Sequence, residues 1–236
     1  MSAPRLALVG TGKMGRAVRA LAQERGWPVV AEIGAADNPG GAALTRDRLA
    51  GAEVAVEFTT PAAAPDNAIA CARAGVPVVV GTTGWLAERE RVAAAVREAE
   101  GALFWAPNFS VGVHVFWRVA EYAAALMARL PAFDAHIVET HHAAKQDAPS
   151  GTALELQRRA AAALGRPIPA TSVRVGAVPG THELLFDGAF EQLRLTHEAR
   201  DRRTFAEGAL LAAGWLAEAW GAGRRGIFTM DDLLQP

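Results

Sequence analysis

Arg5-Leu6-Ala7-Leu8-Val9-Gly10-Thr11-Gly12-Lys13-Met14-Gly15 is the stretch that decides the fold of this chain. Its apolar first half predicts a buried parallel strand, and residues 16–25 have the composition of a helix that ends at Gly26. Between them the glycines follow G-x-G-x-x-G, which allows a tight turn, close approach of a pyrophosphate and packing of helix on strand. We therefore expect a dinucleotide-binding loop; a structural turn without a ligand is the alternative.

The same alternation of strand and helix continues to about residue 110. Strands are predicted at 28–33, 53–58, 76–80 and 102–105, with helices at 62–74 and 85–100. This order implies a parallel sheet with right-handed crossovers, and such sheets bind ligands beyond the carboxyl ends of their strands. The loops at 81–84 and 106–110 share that edge with the glycine loop. Their small and amide residues suit a nicotinamide and its ribose, although 81–84 alone is equally typical of an ordinary turn.

The second half of the chain predicts a different architecture. An apolar helix at 113–130 leads to strands at 135–140, 172–176, 180–186 and 191–198, which indicate an open mixed sheet able to face its copy in another subunit. A helix at 205–220 and the segment 226–234 are expected to return to the first domain. The fold class is therefore α/β: an N-terminal Rossmann-type parallel-sheet domain (1–109 and 203–236) plus a C-terminal α+β domain with an open mixed sheet (110–202).

Candidate chemistry is concentrated between Glu139 and Thr152, where His141, His142 and Lys145 precede a Pro-Ser-Gly-Thr turn. Ser150 stands before a run of helix formers, so it predicts a helix N-terminus whose free N–H groups and positive dipole end suit an anion. Of 24 Lys and Arg residues only two are lysines, Lys13 and Lys145. Arg is not a practical general acid, whereas the pKa of Lys can be tuned, so Lys145 is interpreted as a proton donor. A solvated loop lysine is the alternative.

The remaining histidines stand alone in the sequence, and we interpret each as a packed or hydrogen-bonded core residue: His114, His136, His182 and His197. His141 and His142 differ, because adjacent side chains of an extended segment point to opposite sides. One would face a nicotinamide and the other a substrate or its neighbour. We expect no metal site, because the chain lacks Cys ligands and the i, i+4 His pair of a helical zinc site.

Composition restricts the partners and the compartment. A net charge of −1 gives no basic field, so nucleic acid is not an expected partner. The single cysteine, Cys71, lies in an apolar helix and suits a reducing compartment rather than a reactive role. No apolar run is long enough to span a bilayer, and we expect no signal peptide before the first strand. These features predict a soluble cytoplasmic protein.

Taken together, the motifs resemble the 4-hydroxy-tetrahydrodipicolinate reductase (dihydrodipicolinate reductase) family over nearly the whole chain. The most specific of them is His141-His142-Ala143-Ala144-Lys145-Gln146-Asp147-Ala148-Pro149-Ser150-Gly151-Thr152-Ala153. The other stretches that carry the resemblance are 10–15, 57–61, 81–85, 108–113 and 230–234. The resemblance implies reduction of a cyclic dicarboxylate by NADH or NADPH in diaminopimelate and lysine biosynthesis, and a homotetramer built through the mixed sheets.

The resemblance also implies roles for single residues. His141 is the catalytic histidine and Lys145 the proton donor, while His142, Gly151 and Thr152 bind substrate beside Ser150 of the same turn. The expected cofactor contacts are Gly10, Thr11, Gly12, Lys13, Met14, Gly15, Gly81, Thr82, Thr83, Ala106, Pro107, Asn108 and Phe109. The family's acid at the end of the second strand aligns with Gly34, and Asp37 follows three residues later, so the choice between NADH and NADPH stays open.

Two other classes of protein remain as alternatives. Another small two-domain dehydrogenase, such as an aspartate dehydrogenase, would not need the string from His141 to Thr152. A sensor that kept the fold would bind a nicotinamide nucleotide without turnover.

Overall fold

A computed structural model describes residues 3–235 of the chain as two compact units. One unit comprises the chain up to Phe109 together with the chain from Phe205 onward, and the other is Ser110–Thr204. The domain limits expected from the sequence placed the second boundary after residue 202, and they also included Met1, Ser2 and Pro236, which lie outside the described residues. We call the two units the parallel-sheet unit and the mixed-sheet unit.

The parallel-sheet unit contains six strands in the order β10-β5-β4-β3-β1-β2, all of them parallel. The strands are β1 (Leu6–Val9), β2 (Val29–Ile33), β3 (Val54–Glu57), β4 (Val78–Val80), β5 (Ala102–Trp105) and β10 (Gly226–Phe228). The helices are α1 (Lys13–Glu24), α2 (Ala64–Arg73), α3 (Arg89–Glu98), α6 (Arg203–Gly221) and α7 (Met230–Leu233). The predicted Rossmann-type sheet is confirmed; β10, three residues long, is a strand that the sequence pattern did not predict.

Both faces of the central strands β1, β3, β4 and β5 are buried, which explains why these strands are mainly apolar, whereas half-buried and exposed residues alternate in the edge strand β2. Alternate residues of a strand point to opposite faces. Leu6 and Leu8 of β1 therefore join a core with α1 and α6, whereas Ala7 and Val9 join a second core with α2 and α3. Burial of these two apolar layers stabilises the sheet whose strand ends carry the loops described below.

The mixed-sheet unit has the strand order β7-β6-β8-β9, in which only β6 and β7 are parallel. Its strands are β6 (Asp134–His141), β7 (Ala170–Arg174), β8 (Thr181–Asp187) and β9 (Gln192–Glu198), and its helices are α4 (Val111–Met127) and α5 (Gly151–Leu164). Trp117 and Leu156 of the helices pack with Ile137 and Phe186 of the sheet. The predicted open mixed sheet is therefore confirmed.

No helix among residues 3–235 is both long enough and apolar enough to cross a membrane.

Candidate active site

The glycine loop between β1 and α1 has the close contacts that its motif requires. A Cβ at Gly10, where φ is +102°, would lie 2.0 Å from the carbonyl oxygen of Phe58, and a Cβ at Gly15 would lie 1.9 Å from that of Gly10. At Gly12, by contrast, nothing lies within 4 Å of the Cβ position. The backbone at the N-terminus of α1 is thus open on one side, and this fits a pyrophosphate held by the first N–H groups of the helix.

The loops after β3, β4 and β5 lie at the same edge of the sheet. Register alignment puts Glu57 beside Val80, and Val80 beside Trp105, at the carboxyl ends of the strands. The Thr59 backbone N–H donates to Thr82 Oγ1 at 2.7 Å, and the Phe58 ring packs edge-on against Phe109 at 6.0 Å. The structure therefore brings Gly81–Thr83 and Ala106–Phe109 to the edge that carries the glycine loop.

A buried carboxyl group supports these loops from below. Glu57 is fully buried, and its Oε1 accepts hydrogen bonds from the Thr59 hydroxyl and, at 3.4 Å, from Asn67 Nδ2. Burial raises the pKa of Glu57 against the lowering effect of its hydrogen bonds. Asn67 in turn accepts a 2.8 Å bond from Asn38, which lies after β2. Glu57 was quoted as part of a motif, but this network was not expected from the sequence.

In the mixed-sheet unit, Glu139 of β6 is the centre of the candidate site. Its side chain is 0% exposed, and its Oε1 accepts three hydrogen bonds, from the Ser150 backbone N–H at 3.0 Å, Ser172 Oγ at 2.7 Å and Arg174 Nη2 at 2.7 Å. Burial opposes ionisation of Glu139, but these hydrogen bonds outweigh it and lower its pKa to about 2. A carboxylate is thereby fixed beneath the turn that starts α5.

His141 lies two residues further along the same face of β6 and is buried as well. Its Nδ1 is 2.8 Å from Glu139 Oε2, and its Nε2 is 3.0 Å from the Cβ position of Gly180, whose φ is +152°. Burial lowers the pKa of His141, although the Glu139 carboxylate raises it. The ring is therefore neutral near pH 7 and lies under the site rather than on its surface.

His182 is a buried, hydrogen-bonded residue, as expected from the sequence, but it also lies beside the candidate site. It is the cross-strand partner of Glu139, and its ring centroid is 5.1 Å from that of His141. Its Nε2 is 3.2 Å from Ser150 Oγ. Burial lowers its pKa to about 4. The sequence analysis did not place His182 or Arg174 in the candidate site, and it named Glu139 only as the start of the motif, without a role.

The outer layer of the site contains the more accessible groups. Lys145 Nζ lies 2.7 Å from Asp147 Oδ1, and its side chain is 23% exposed. Arg174 Nη2 also donates to the Asp147 carbonyl oxygen, at 2.6 Å, so the segment before α5 is tied to β7. His142 is half-buried. Lys145 thus holds an ammonium group at the rim, above the buried cluster.

The N-terminus of α5 lies within the same segment. Ser150 caps the helix, because its Oγ accepts from the Ala153 backbone N–H at 3.2 Å. No atom lies within 4 Å of a Cβ at Gly151, and the Thr152 carbonyl oxygen accepts from Trp117 Nε1 at 3.3 Å. A fixed, open helix start of this kind suits a carboxylate.

Three side chains of the buried cluster carry atoms that metals use as ligands. These atoms of Glu139, His141 and His182 all lie within 4.8 Å of one another. However, His141 Nδ1 and Glu139 Oε2 are 2.8 Å apart, whereas two ligands on a tetrahedral zinc ion are about 3.3 Å apart for bonds of about 2.0 Å. Since the two atoms are closer together than two ligands of one zinc ion, we interpret the cluster as a buried charged group that positions the side chains of the site.

Comparison with known proteins gives the family. A family model described as "Dihydrodipicolinate reductase, N-terminus" matches residues 4–109, and its C-terminal counterpart matches residues 112–234. The chain belongs to the dihydrodipicolinate reductase family.

Relatives with the name 4-hydroxy-tetrahydrodipicolinate reductase support this membership. The protein of Thiobacillus denitrificans is 38% identical, with 98% of both chains covered, and that of Christiangramia forsetii is 32% identical, with 97% of both covered. The dipicolinate-bound dihydrodipicolinate reductase from Paenisporosarcina sp. TG-14 has the same fold, with a TM-score of 0.76 at 22% identity over 98% of this chain and 99% of that one.

Proposed function

We propose that this chain is a 4-hydroxy-tetrahydrodipicolinate reductase, an oxidoreductase that uses NADH or NADPH to form tetrahydrodipicolinate in diaminopimelate and lysine biosynthesis. Membership of the family supports the reaction. The observation that carries the proposal is the arrangement of Lys145 and the open start of α5 above a buried Glu139 and His141. A dicarboxylate substrate requires an anion-binding site, and reduction of an imine requires a proton donor. The start of α5 and Lys145 offer these two functions within one segment of the chain.

A bound nicotinamide nucleotide supplies the hydride. On the protein side, the residues proposed to hold it are Gly10, Thr11, Gly12, Lys13, Met14, Gly15, Gly81, Thr82, Thr83, Ala106, Pro107, Asn108 and Phe109. The contacts at Gly10 and Gly15 and the open side of Gly12 support this assignment. These residues bind and orient the nucleotide, and the buried Glu57 network keeps their loops in place.

Lys145 is proposed as the proton donor. Its ammonium group is held by Asp147, whose pKa is lowered by that hydrogen bond. His141 is neutral near pH 7, because burial lowers its pKa, and its Nδ1 faces the Glu139 carboxylate. We propose that His141 acts at the base of the site, where it stabilises the developing charge, and that Lys145 donates the proton that neutralises the negative charge left on the substrate by hydride addition.

The substrate carboxylates are assigned to the start of α5. The hydrogen-bond donors are proposed to be the N–H groups near Gly151 and Thr152 and the side chains of Ser150 and His142. The Glu139 bond to the Ser150 N–H keeps this turn in one conformation, so the ring is presented in a fixed orientation.

Two further features complete the proposal. The chain is proposed to form a homotetramer through the mixed sheets, because Val173 of β7 is 38% exposed and its register with Thr140 puts it on the sheet face opposite to the core residues Ile137 and Leu184; light scattering of Val173→Glu against the unmodified chain tests this. The buried, unpaired thiol of Cys71 suits a reducing compartment, and the cytoplasm is the proposed location.

The test of function is oxidation of NADH and NADPH followed by absorbance, with substrate generated from pyruvate and aspartate semialdehyde by the preceding synthase. Absorbance is expected to fall only in the complete mixture. Lys145→Arg keeps the charge but not the transferable proton, so kcat should fall at least 100-fold. Arg158→Lys, an exposed change on α5, is the matched control and should keep the original kcat. Nucleotide binding without oxidation would instead favour the sensor.

A further inference from the structure

The end of β2 lacks the acidic residue that is usual in dinucleotide folds. In those folds an acidic residue near this point holds the adenosine ribose hydroxyls, but this chain has Gly34 there. A Cβ at Gly34 would lie 3.6 Å from Thr11 Oγ1 of the glycine loop and 3.9 Å from Asp37 Oδ2. The space beside Gly34 is therefore bordered by the glycine loop on one side and by a carboxylate on the other.

The Asp37 carboxylate lies about where the carboxylate of a glutamate at position 34 would lie. In an extended glutamate, the carboxylate oxygens lie three bonds from Cβ, or roughly 3.6 Å at standard bond lengths. Asp37 Oδ2, at 3.9 Å from the Cβ position of residue 34, is at about the reach of a glutamate at that position. The short 3-10 turn Ala35–Asp37 brings the charge back toward the strand end.

Hydrogen bonds fix the turn that carries Asp37. The next residue, Asn38, is 7% exposed; its Nδ2 donates to Asn67 at 2.8 Å and its Oδ1 accepts from the Ala43 N–H at 3.0 Å. On the opposite side, the Gly10 N–H donates to the Ile33 carbonyl oxygen at 2.8 Å. These hydrogen bonds hold the chain on both sides of the space, so the residue that follows Asp37 and the end of β2 are fixed in position, while the Asp37 side chain itself is exposed.

The charges around this space favour one nucleotide. Within residues 3–235, the exposed Asp37 carboxylate has no ion-pair partner, so it is available to a ligand. Two arginines of α1 have other contacts: Arg16 Nη1 donates to the Thr11 carbonyl oxygen at 2.9 Å, and Arg19 pairs with Glu32 at 3.1 Å. Hydroxyl groups of a ribose can donate to a free carboxylate, whereas a 2′-phosphate would be repelled by it.

We propose that Asp37 is the residue that selects NADH, by accepting hydrogen bonds from the adenosine ribose hydroxyls and by repelling the 2′-phosphate of NADPH. The proposal rests on the proposed function only in that the ligand is a nicotinamide nucleotide. Asp37, in the turn after β2, would thus take the place of the acidic residue that Gly34 lacks at the end of the strand.

The test is the dissociation constant of each nucleotide in the absence of substrate, measured by calorimetry at constant ionic strength. The unmodified protein is expected to bind NADH at least tenfold more tightly than NADPH. Asp37→Asn should reduce that ratio at least fivefold. Asp47→Asn removes an exposed carboxylate from the same loop region and should preserve the ratio. Gly34→Glu added to Asp37→Asn should restore the preference, since Gly34 has φ −83° and only ordinary contacts around its Cβ.

Two results would overturn the assignment: NADPH binding as tight as NADH binding in the unmodified protein, for example through Lys13, or the same ratio in Asp37→Asn as in Asp47→Asn. The turnover assay separates this proposal from the proposed function. Equal turnover with both nucleotides would support the reductase activity and contradict the role of Asp37 in nucleotide selection. Asp37-dependent NADH binding without turnover would support that role and contradict the reductase activity.

Discussion

Replacing Glu139 by Gln should destabilise the mixed-sheet unit far more than the same change at Glu155. Both carboxyl groups have a pKa lowered to about 2. Glu139 is fully buried and bonded to Ser150, Ser172 and Arg174. Glu155 is 26% exposed and pairs with Arg158 and Arg159 on the surface of α5. The pair is therefore matched in pKa and differs in burial.

The magnitude follows from the pKa of the buried group. A fall from the usual 4.5 to about 2, at about 1.4 kcal/mol per pKa unit, corresponds to about 3 kcal/mol. The cost of breaking a buried ion pair, about 3–5 kcal/mol, is consistent with this value. For Glu155, solvent screening reduces the loss to about 1 kcal/mol or less. Because the folded pKa lies below the unfolded one, the Glu139 contribution is present above pH 4.5 and is lost as the pH falls toward 2.

Urea unfolding at pH 7, with hydrogen exchange of the β6 and β7 amides to report this unit separately, measures both variants. Glu139→Gln should lower the free energy of unfolding by about 3 kcal/mol, and the difference should narrow as the pH approaches 3. Equal losses in the two variants, or a Glu139→Gln difference that does not change with pH, would refute the reasoning.

Three further predictions concern groups around the two sites. Burial lowers the pKa of His182 from 6.5 to about 4, so the folded protein holds this ring neutral while the unfolded chain takes up a proton below pH 6.5; as the pH falls from 6.5 to 4, the unmodified protein should lose about 3 kcal/mol more unfolding free energy than His182→Gln. Gly180→Ala places a Cβ 3.0 Å from His141 Nε2 at φ +152°; kcat should fall at least tenfold while the dissociation constant of NADH, measured by calorimetry, stays the same. Burial raises the pKa of the Cys71 thiol to about 12; a thiol reagent at pH 8 should label it only after urea unfolding, and labelling of the folded protein would contradict its burial.

The sequence was sufficient to predict those elements that depend on residues close together in the chain. The strands and the start of α5 at Ser150 depend on periodicity, glycine placement and capping, all of which lie within a few residues. The three residues of β10 are too few to show a period, and their pairing with β5 depends on a contact more than 100 residues away in sequence.

The candidate site shows the same limit more clearly. Lys145 and Ser150 are in one motif, so they were found together. Glu139 and His182 meet because β6 and β8 pair in one register, and a shift of one residue would put His182 on the other face. Neither strand's own pattern determines that register. Asp37 was noted in the sequence but not assigned a role, since only the folded turn brings its carboxylate near Gly34.

The late position of β10 and α6 in the chain affects the order in which the protein can assemble on the ribosome. Translation produces β1 to β5 first, then the whole mixed-sheet unit, and only afterwards the helix and edge strand that cover Phe104 and complete the first sheet. The mixed-sheet unit, one continuous segment, is able to fold while the earlier strands still lack a covering layer. A nascent chain that stops near residue 200 would therefore expose an apolar sheet face and become a substrate for chaperones and proteases.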